Sequence, residues 1–431
     1  MSDFLPINKF AWVLDTHTWT QEIIENLRDD ADVGYMYEVD ISYPKEIHDA
    51  QADYPMCPEL ATPPGGKTPK LLATLNKKER YVLHYRNLKQ ALKHGIKLEK
   101  IHRILKFNQA QWLKPYIDLN SKLRADTLID FEKDLYKLMN NAFYGKTMEN
   151  VRKYSKIYLC NSWDGPYGAE SLIGKPNFKR LRIFNENLVA VEMNKTSIKF
   201  TKPIYTGAVI LELSKTIMYE FHYEFIRKKF SAEDSALVYT DTDSYIYLFN
   251  HSNIYKFIAE NISRFDTSGY PKNNKHGVPL ENHKVLGLMK DETNMIPIER
   301  GSFARSKLYS IKLKNNGIVK RAKGIKKDII SKNISYQDYE DCIFNKEIVT
   351  VTQRRIVNKN HKLYTIEEQK FALSYNDDKR YQIYDSFDTL PWGHYRIPQL
   401  EIEKDLNMGY DLAMIQLNEN NNNIIEPMEI G

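Results

Sequence analysis

The chain has 431 residues, of which 42% are hydrophobic and 27% charged, and its formal net charge is +6. This composition excludes a disordered chain, and no apolar run approaches the length that crosses a bilayer. The three cysteines, Cys57, Cys160 and Cys342, show no CxxC spacing. They therefore indicate neither a disulfide framework nor a thiolate zinc site, and they predict an intracellular, reducing compartment.

Lysine and arginine are concentrated between residues 76 and 106, where ten basic residues stand against two acidic ones. Part of this region predicts a helix that ends near Gly95, because glycine is favoured just beyond a helix C-terminus.

Residues from about 126 to 146 show the clearest helical periodicity. Apolar side chains recur at i, i+4, i+7 and i+11, namely Phe131, Leu135, Leu138 and Ala142. This spacing predicts one buried stripe along a helix.

The segment KLMNNAFYG, residues 137–145, lies within the same predicted helix. At about 100° per residue, Lys137, Asn141 and Tyr144 fall within a narrow arc away from the apolar stripe. A cation, an amide and a flat ring on one ridge could neutralise a triphosphate and contact a base pair. An ordinary solvated face of an amphipathic helix is the alternative.

The segment LVYTDTDSYIYLF, residues 237–249, predicts a strand, a polar turn and a second strand. Asp241 and Asp243 are two residues apart, and on an extended backbone residues i and i+2 point to the same face. Two hard oxygen ligands at a hairpin tip would suit Mg²⁺. A polar β-turn without a ligand is the alternative, because Asp, Thr and Ser are common turn residues.

Between residues 301 and 330, nine basic residues stand against one acidic residue. Such a concentration of positive charge would attract a phosphate backbone, although a solvated surface is equally consistent with it. The last dozen residues include most of an asparagine-rich run, residues 418–423, and predict a flexible tail.

Two of these segments resemble motifs of family B DNA polymerases. YTDTDS is similar to motif C, with Thr240 where glycine is usual, and KLMNNAFYG is similar to motif B, KxxxNSxYG, with Ala142 where serine is usual. Further blocks, including GYMYEVDISYPKEIHDAQADYP and FTKPIYTGAVILELSKTIMYEFHY, follow in the expected order. The chain thus resembles a protein-primed, organellar or viral family B DNA-directed DNA polymerase, most of all those of Maverick/Polinton-like DNA transposons.

The resemblance implies specific roles at the catalytic site. Asp243 would be the principal metal ligand with Asp241 supporting it, in a site for two Mg²⁺ ions. Lys137 would contact the incoming triphosphate, Asn141 would support that lysine, and Tyr144 would line the nucleotide pocket.

The resemblance also implies contacts with primer–template DNA. SKLYSIKL looks like the KxY motif that holds the primer strand, which assigns Lys307 and Tyr309 to DNA binding. The following KRAKGIKK looks like the lysine-rich segment of transposon polymerases and assigns four more residues to DNA binding, namely Lys320, Lys323, Lys326 and Lys327.

Motif A, roughly DxxSLYP, should precede motif B. The opening MSDFLPINKFAW looks like the sequence that follows motif A, so the expectation is that the motif A aspartate and the exonuclease domain are absent from this chain. The isolated chain would then bind primer–template DNA but extend it poorly. Asp40, in the similar string EVDISYP, is an alternative motif A ligand; otherwise it is a carboxylate that pairs locally.

These observations predict an α+β right-hand polymerase core of palm, fingers and thumb, truncated at its N-terminus. The expected division is palm with an insertion (1–105), fingers (106–160), palm with motif C and an inserted segment (161–300), primer-gripping segment and thumb (301–415), and tail (416–431). The expected function is template-directed DNA synthesis, with primer–template DNA, dNTP and a terminal priming protein as partners and no membrane. A non-catalytic DNA-binding remnant of a transposon polymerase is the alternative.

Overall fold

The computed structural model describes residues 1–251, 253–359 and 362–406. They form two compact units, each assembled from separate parts of the chain. The first unit contains the described residues of 1–7, 109–212 and 253–375. The second unit contains those of 8–108, 213–252 and 376–431. This division cuts across the linear one expected from the sequence, which stays a prediction. The expected tail, residues 416–431, lies outside the described residues.

The strands follow one another along the described chain as β1 (Leu5–Trp12), β2 (Val33–Ser42), β3 (Glu59–Ala61), β4 (Lys70–Leu72), β5 (Lys78–His84), β6 (Lys97–Ala110), β7 (Ser155–Cys160), β8 (Phe178–Asn185), β9 (Leu188–Asn194), β10 (Ser235–Asp241), β11 (Ser244–Phe249), β12 (Phe265–Asp266), β13 (Met289–Lys290), β14 (Ile298–Arg305), β15 (Leu308–Leu313), β16 (Ile318–Ala322), β17 (Val349–Lys359), β18 (Lys362–Leu373), β19 (Arg380–Gln382) and β20 (Thr389–Pro391).

The described α-helices include α1 (Gln21–Glu25), α2 (Tyr85–Lys93), α3 (Lys114–Asp126), α4 (Asp130–Thr147), α5 (Ala169–Ile173), α6 (Ile204–Tyr219), α7 (Arg227–Lys229), α8 (Ile254–Glu260), α9 (Lys327–Asn333) and α10 (Tyr336–Phe344). A π-helical stretch, Glu220–Ile226, joins α6 to α7. The described residues are 29% helical and 33% strand, which confirms a mixed helix-and-sheet fold. None of the described helices combines the length and the apolar composition needed to traverse a lipid bilayer.

The core of the second unit is formed by a four-stranded sheet and α2. The strand order is β1-β6-β2-β5, and β2 pairs antiparallel with both β5 and β6. Helix α2 buries Tyr85, Leu88 and Leu92 at helical spacing, so it presents one apolar face to the core. The chain leaves this helix through Gly95 at φ +86°, which confirms the predicted end of the helix.

Two small, separate cores can be distinguished among the described residues of the first unit. The three-stranded sheet β7-β9-β8 and α5 enclose one core around Val191, in the interval expected to hold an insertion. The three-stranded sheet β14-β15-β16, helices α9 and α10 and the long hairpin β17–β18 surround the other, around Tyr339 and Leu373. The basic segment predicted from the sequence therefore lies on regular structure, because β14, β15, β16 and the start of α9 span it.

Candidate active site and nucleic-acid interface

Strands β10 and β11 form an antiparallel hairpin whose two-residue turn carries the candidate catalytic carboxylates. Asp241 pairs with Ser244, so Thr242 and Asp243 form the turn. The amide of Asp243 donates to the carbonyl oxygen of Asp241 at 2.7 Å, and Thr242 has φ +61°. A left-handed backbone is strained for a β-branched residue, and such strain is concentrated at functional sites. The predicted strand, turn and strand are confirmed.

The expectation that an extended backbone places Asp241 and Asp243 on the same face was wrong. The residue between them is not extended, so alternation of side chains along a strand does not relate Asp241 to Asp243. The tight turn itself places both residues at the tip, where Asp243 is exposed and Asp241 half-buried. The hydroxyl of Thr242 donates to Oδ1 of Asp241 at 3.2 Å, and the hydroxyl of Ser244 donates to the Asp241 carbonyl at the same distance.

The donor chemistry of this tip fits a hard divalent cation. Mg²⁺ binds through one or two protein carboxylates and takes its other ligands from water and substrate phosphates. Asp241 and Asp243 supply two such groups at an accessible turn. Within the part of the chain that the structure describes, no cluster of three or more His, Cys, Asp or Glu side chains could hold a metal ion. The tip could therefore supply only part of a metal's coordination shell.

Asp40 lies near the end of β2 and is held by local partners. Its Oδ1 is 2.7 Å from Nε2 of His102 and accepts the backbone amide of Arg80 at 2.8 Å. The hydrogen bond from Arg80 is the largest cause that lowers the pKa of Asp40. Arg80 has φ +50° where the register between β2 and β5 shifts. This environment is that of a carboxylate that pairs locally, and a metal-binding role for Asp40 stays a prediction.

The predicted apolar stripe of helix α4 is not buried, so this expectation was wrong. Phe131 is 76% exposed and Leu138 is 62% exposed. Helix α4 instead packs on α3 through a different face, where the Asn120 amide donates to the Asn140 side-chain oxygen at 2.9 Å. Periodicity identified an apolar face, but the neighbouring helix covers another one.

The ridge Lys137, Asn141 and Tyr144 lies on one helix, as predicted. Lys137 and Asn141 are exposed, and Tyr144 is half-buried, which raises the pKa of its hydroxyl. Helix α3 contacts Phe143 beside this ridge, because the ring of Tyr116 lies 6.3 Å from that of Phe143. The ridge belongs to the first unit, whereas Asp241 and Asp243 belong to the second. The expectation that both groups contribute to one catalytic site stays a prediction.

Lys307 and Tyr309 lie at the start of β15, beside the turn that joins it to β14. Lys307 is exposed in that turn with φ +61°, and its carbonyl oxygen accepts the amide of Lys323 at 3.1 Å. The ring of Tyr309 stacks on that of Phe303 at 5.9 Å, and Tyr309 pairs with Arg321 on β16. The structure thus brings Lys307 and Lys323 together where β15 begins and β16 ends.

The lysines assigned to DNA binding have two different environments. The ammonium group of Lys320 donates to the carbonyl oxygens of Ser331, at 3.2 Å, and Ile334, at the C-terminus of α9. Lysine at this position satisfies the unpaired carbonyls that end a helix. Lys323, Lys326 and Lys327 are exposed. This contrast favours a structural role for Lys320 and leaves three lysines accessible to a phosphate backbone.

The loop that carries these three lysines is fixed to the β17–β18 hairpin through Gly324. Its φ is +89°, and its carbonyl oxygen accepts hydrogen bonds from Gln353 at 3.1 Å and from Lys370 at 3.3 Å. A side chain at this position would be strained. Sequence reasoning missed both anchoring side chains, which lie too far along the chain to show a local pattern.

The aromatic side chains beneath the carboxylate hairpin were also missed. Tyr245, Tyr247 and Phe249 alternate along β11 and are half-buried on one face. The same face includes Thr240, the partner of Tyr245, so Asp241 lies on the opposite face. The period-two aromatic pattern in SYIYLF was the signal that could have identified this support.

Comparison with known protein families identifies the class of protein. Residues 4–228, more than half of the chain, match the family described as "DNA polymerase type B, organellar and viral". The chain belongs to this family, which confirms the resemblance to family B polymerases. The carboxylate hairpin and the basic segment follow the matched residues. No curated protein matches the chain.

Solved structures of Phi29 DNA polymerase are similar to this chain. The orthorhombic crystal form gives a TM-score of 0.53 at 13% identity, covering 86% of this chain and 55% of that one. The complex with primer–template DNA and incoming nucleotide substrates gives 0.51 at 12% identity, and the post-translocation binary complex with primer–template DNA gives 0.51 at 14%, each with the same coverage. The likeness is one of fold, and the chain spans about half the length of these relatives.

Proposed function

We propose that this chain carries out template-directed DNA synthesis, transferring a nucleotide from a dNTP to a primer 3′-hydroxyl. The observation that carries this proposal is the exposed turn with Asp241 and Asp243, in a chain that belongs to the type B DNA polymerase family. The Phi29 complexes contain primer–template DNA and, in one case, incoming nucleotides, which supports the same partners here.

In this proposal Asp241 and Asp243 hold Mg²⁺, the ion that their hard oxygen donors fit. When bound, such ions stabilise the charge that develops on the transferred phosphoryl group. Lys137 contacts the triphosphate, Asn141 supports the position of that lysine, and Tyr144 offers its ring to the nucleotide.

The DNA-binding part of the proposal relies on the end of the β14–β15–β16 sheet where β15 begins and β16 ends. Lys307 and Tyr309 hold the primer strand, and the exposed lysines of the following loop contact phosphates. The proposal also includes the assignment of palm, fingers and thumb, a terminal priming protein as partner, an intracellular reducing compartment and an affinity to Maverick/Polinton-like polymerases. Their support is the sequence motifs and the three separated cysteines, which are buried and not disulfide-bonded.

A primer-extension assay with Mg²⁺ and dNTPs tests the proposal. Asp241→Asn and Asp243→Asn should each reduce extension by at least about a hundredfold, because the charge on the transferred phosphoryl group loses its compensation. Glu233→Gln is the matched control, since Glu233 is exposed at the base of the same hairpin and should be silent. Undiminished extension by both aspartate variants would overturn the proposal.

A second candidate function is DNA binding without catalysis. It is favoured by one observation: the described residues contain no third carboxylate or histidine that joins Asp241 and Asp243 in a metal cluster. Primer–template binding without extension in Mg²⁺ or Mn²⁺ would support this candidate. Robust extension that Asp40→Ala abolishes would instead identify Asp40 as the third ligand.

A further inference from the structure

The carboxylate hairpin rests on an aromatic row that runs along β11 from Tyr245 to Phe249. The rings of Tyr245 and Tyr247 lie 5.5 Å apart, and those of Tyr247 and Phe249 lie 5.3 Å apart. All three belong to the hairpin face opposite Asp241. The orientation of the tip therefore depends on what holds this row.

His222 connects the row to the π-helical stretch Glu220–Ile226. The histidine is fully buried, and its Nδ1 lies 2.8 Å from the hydroxyl of Tyr247. The two rings are stacked, with centroids 6.0 Å apart and planes 15° from parallel. Burial lowers the pKa of His222 to about 3, so the imidazole is neutral near pH 7. The His222–Tyr247 contact therefore combines ring stacking with a directional hydrogen bond in a buried interface.

Two further contacts hold the same row closer to the tip. The hydroxyl of Tyr245 donates to the carbonyl oxygen of Met218 at 2.8 Å, just before the π-helical stretch. Tyr54 lies edge-on to Tyr245 at 5.7 Å, and its hydroxyl contacts the side chains of Tyr245 and Thr240. Single π-helical turns are frequent at functional sites. Here the π-helical stretch carries His222 to the middle of the aromatic row.

Small displacements of this aromatic row matter because a metal site tolerates only small changes in the positions of its ligand atoms. A strand advances about 3.3 Å per residue, so the tip is only about 13 Å from Tyr247 and moves with it. Metal–ligand distances are held to within about 0.2 Å. A slight tilt of β11 would therefore be enough to misdirect Asp243.

We propose that His222 is a positioning residue, which orients Asp241 and Asp243 toward a divalent cation through its contact with the Tyr247 hydroxyl. This inference rests on the proposed metal-binding role of the two aspartates. It assigns a role to a histidine that touches neither the metal nor the substrate.

The test is the Mn²⁺ affinity of the purified chain, measured by electron paramagnetic resonance of the free ion. Tyr247→Phe deletes only the hydroxyl, and it should raise the Mn²⁺ Kd by about three- to tenfold, toward the lower range for outer-shell partners. Tyr85→Phe is the matched control, because it removes a buried hydroxyl that meets the carbonyls of Arg28 and Asp29 at 3.2 Å and 3.1 Å. It should leave the Mn²⁺ Kd unchanged.

Substitutions of His222 separate positioning from a purely structural role. His222→Asn keeps a polar atom near the Nδ1 position and should bind Mn²⁺ within about twofold of the unsubstituted chain. His222→Leu should raise the Mn²⁺ Kd as much as Tyr247→Phe does. The double variant should show no further increase, because both substitutions remove the same contact. Thermal unfolding of each variant shows whether it is folded.

The outcomes distinguish this inference from the proposed function. If Asp241→Asn together with Asp243→Asn abolishes Mn²⁺ binding but folded Tyr247→Phe binds as tightly as the unsubstituted chain, His222 has no positioning role. If the double aspartate variant binds Mn²⁺ with unchanged affinity, the proposed metal site itself is wrong, and the inference is overturned with it.

Discussion

The lysines of the segment 320–327 should separate into two classes in a salt titration of DNA binding. The ammonium of Lys320 is held by carbonyl oxygens at the end of α9, whereas Lys323, Lys326 and Lys327 are exposed. Replacing the three exposed lysines by glutamine removes three positive charges. It leaves the backbone anchor of the loop at Gly324 intact.

The magnitude follows from counterion release. Each phosphate contact on duplex DNA contributes about −0.9 to the slope of log K against log[salt], so the triple variant should have a slope shallower by about 2.7. Between about 50 and about 200 mM salt, the unsubstituted chain should then lose about 40-fold more affinity than the variant.

Fluorescence anisotropy with a labelled primer–template duplex measures these slopes. Lys320→Gln is the control, and it should keep the original slope while lowering the stability of the first unit by about 1 kcal/mol through its lost hydrogen bonds. Two results would refute the reasoning: a triple variant with an unchanged slope, or a Lys320→Gln variant whose slope flattens as much as that of the triple variant.

Three other predictions concern stability. Leu138→Gln should change the free energy of unfolding by no more than about 0.5 kcal/mol because Leu138 is exposed, whereas Val191→Ala in the β7–β9–β8 core should cost about 2 kcal/mol in urea denaturation. Burial lowers the pKa of His84 to about 3, so only the unfolded chain takes up its proton as the pH falls below about 6.5. Stability should therefore decrease from pH 7 to pH 5, and less steeply in His84→Gln. Gly207→Ala should lower the Tm, because a Cβ there would lie 2.4 Å from the sulfur of Met148.

The chemistry-bearing elements could be predicted because their signals are local. The helix that carries Lys137 and the hairpin that carries Asp241 and Asp243 both occur where periodicity and turn residues placed them. Helical and strand periods depend only on the backbone of the segment concerned. The same reasoning failed for the stripe at Phe131 and Leu138, because a period reveals an apolar face but not which partner covers it.

By itself, the sequence determined the class of protein and the order of its motifs, since both are written in short contiguous strings. Only the tertiary structure decided which side chains are available to bind a metal or DNA and which are used to hold the fold together. It paired Asp40 with His102, used the ammonium of Lys320 to close a helix, and placed His222 beneath the carboxylate hairpin. These contacts join positions from 14 to 62 residues apart, and no local pattern encodes a partner at such a distance. Burial and hydrogen bonding become defined only when the folded chain brings the partners together.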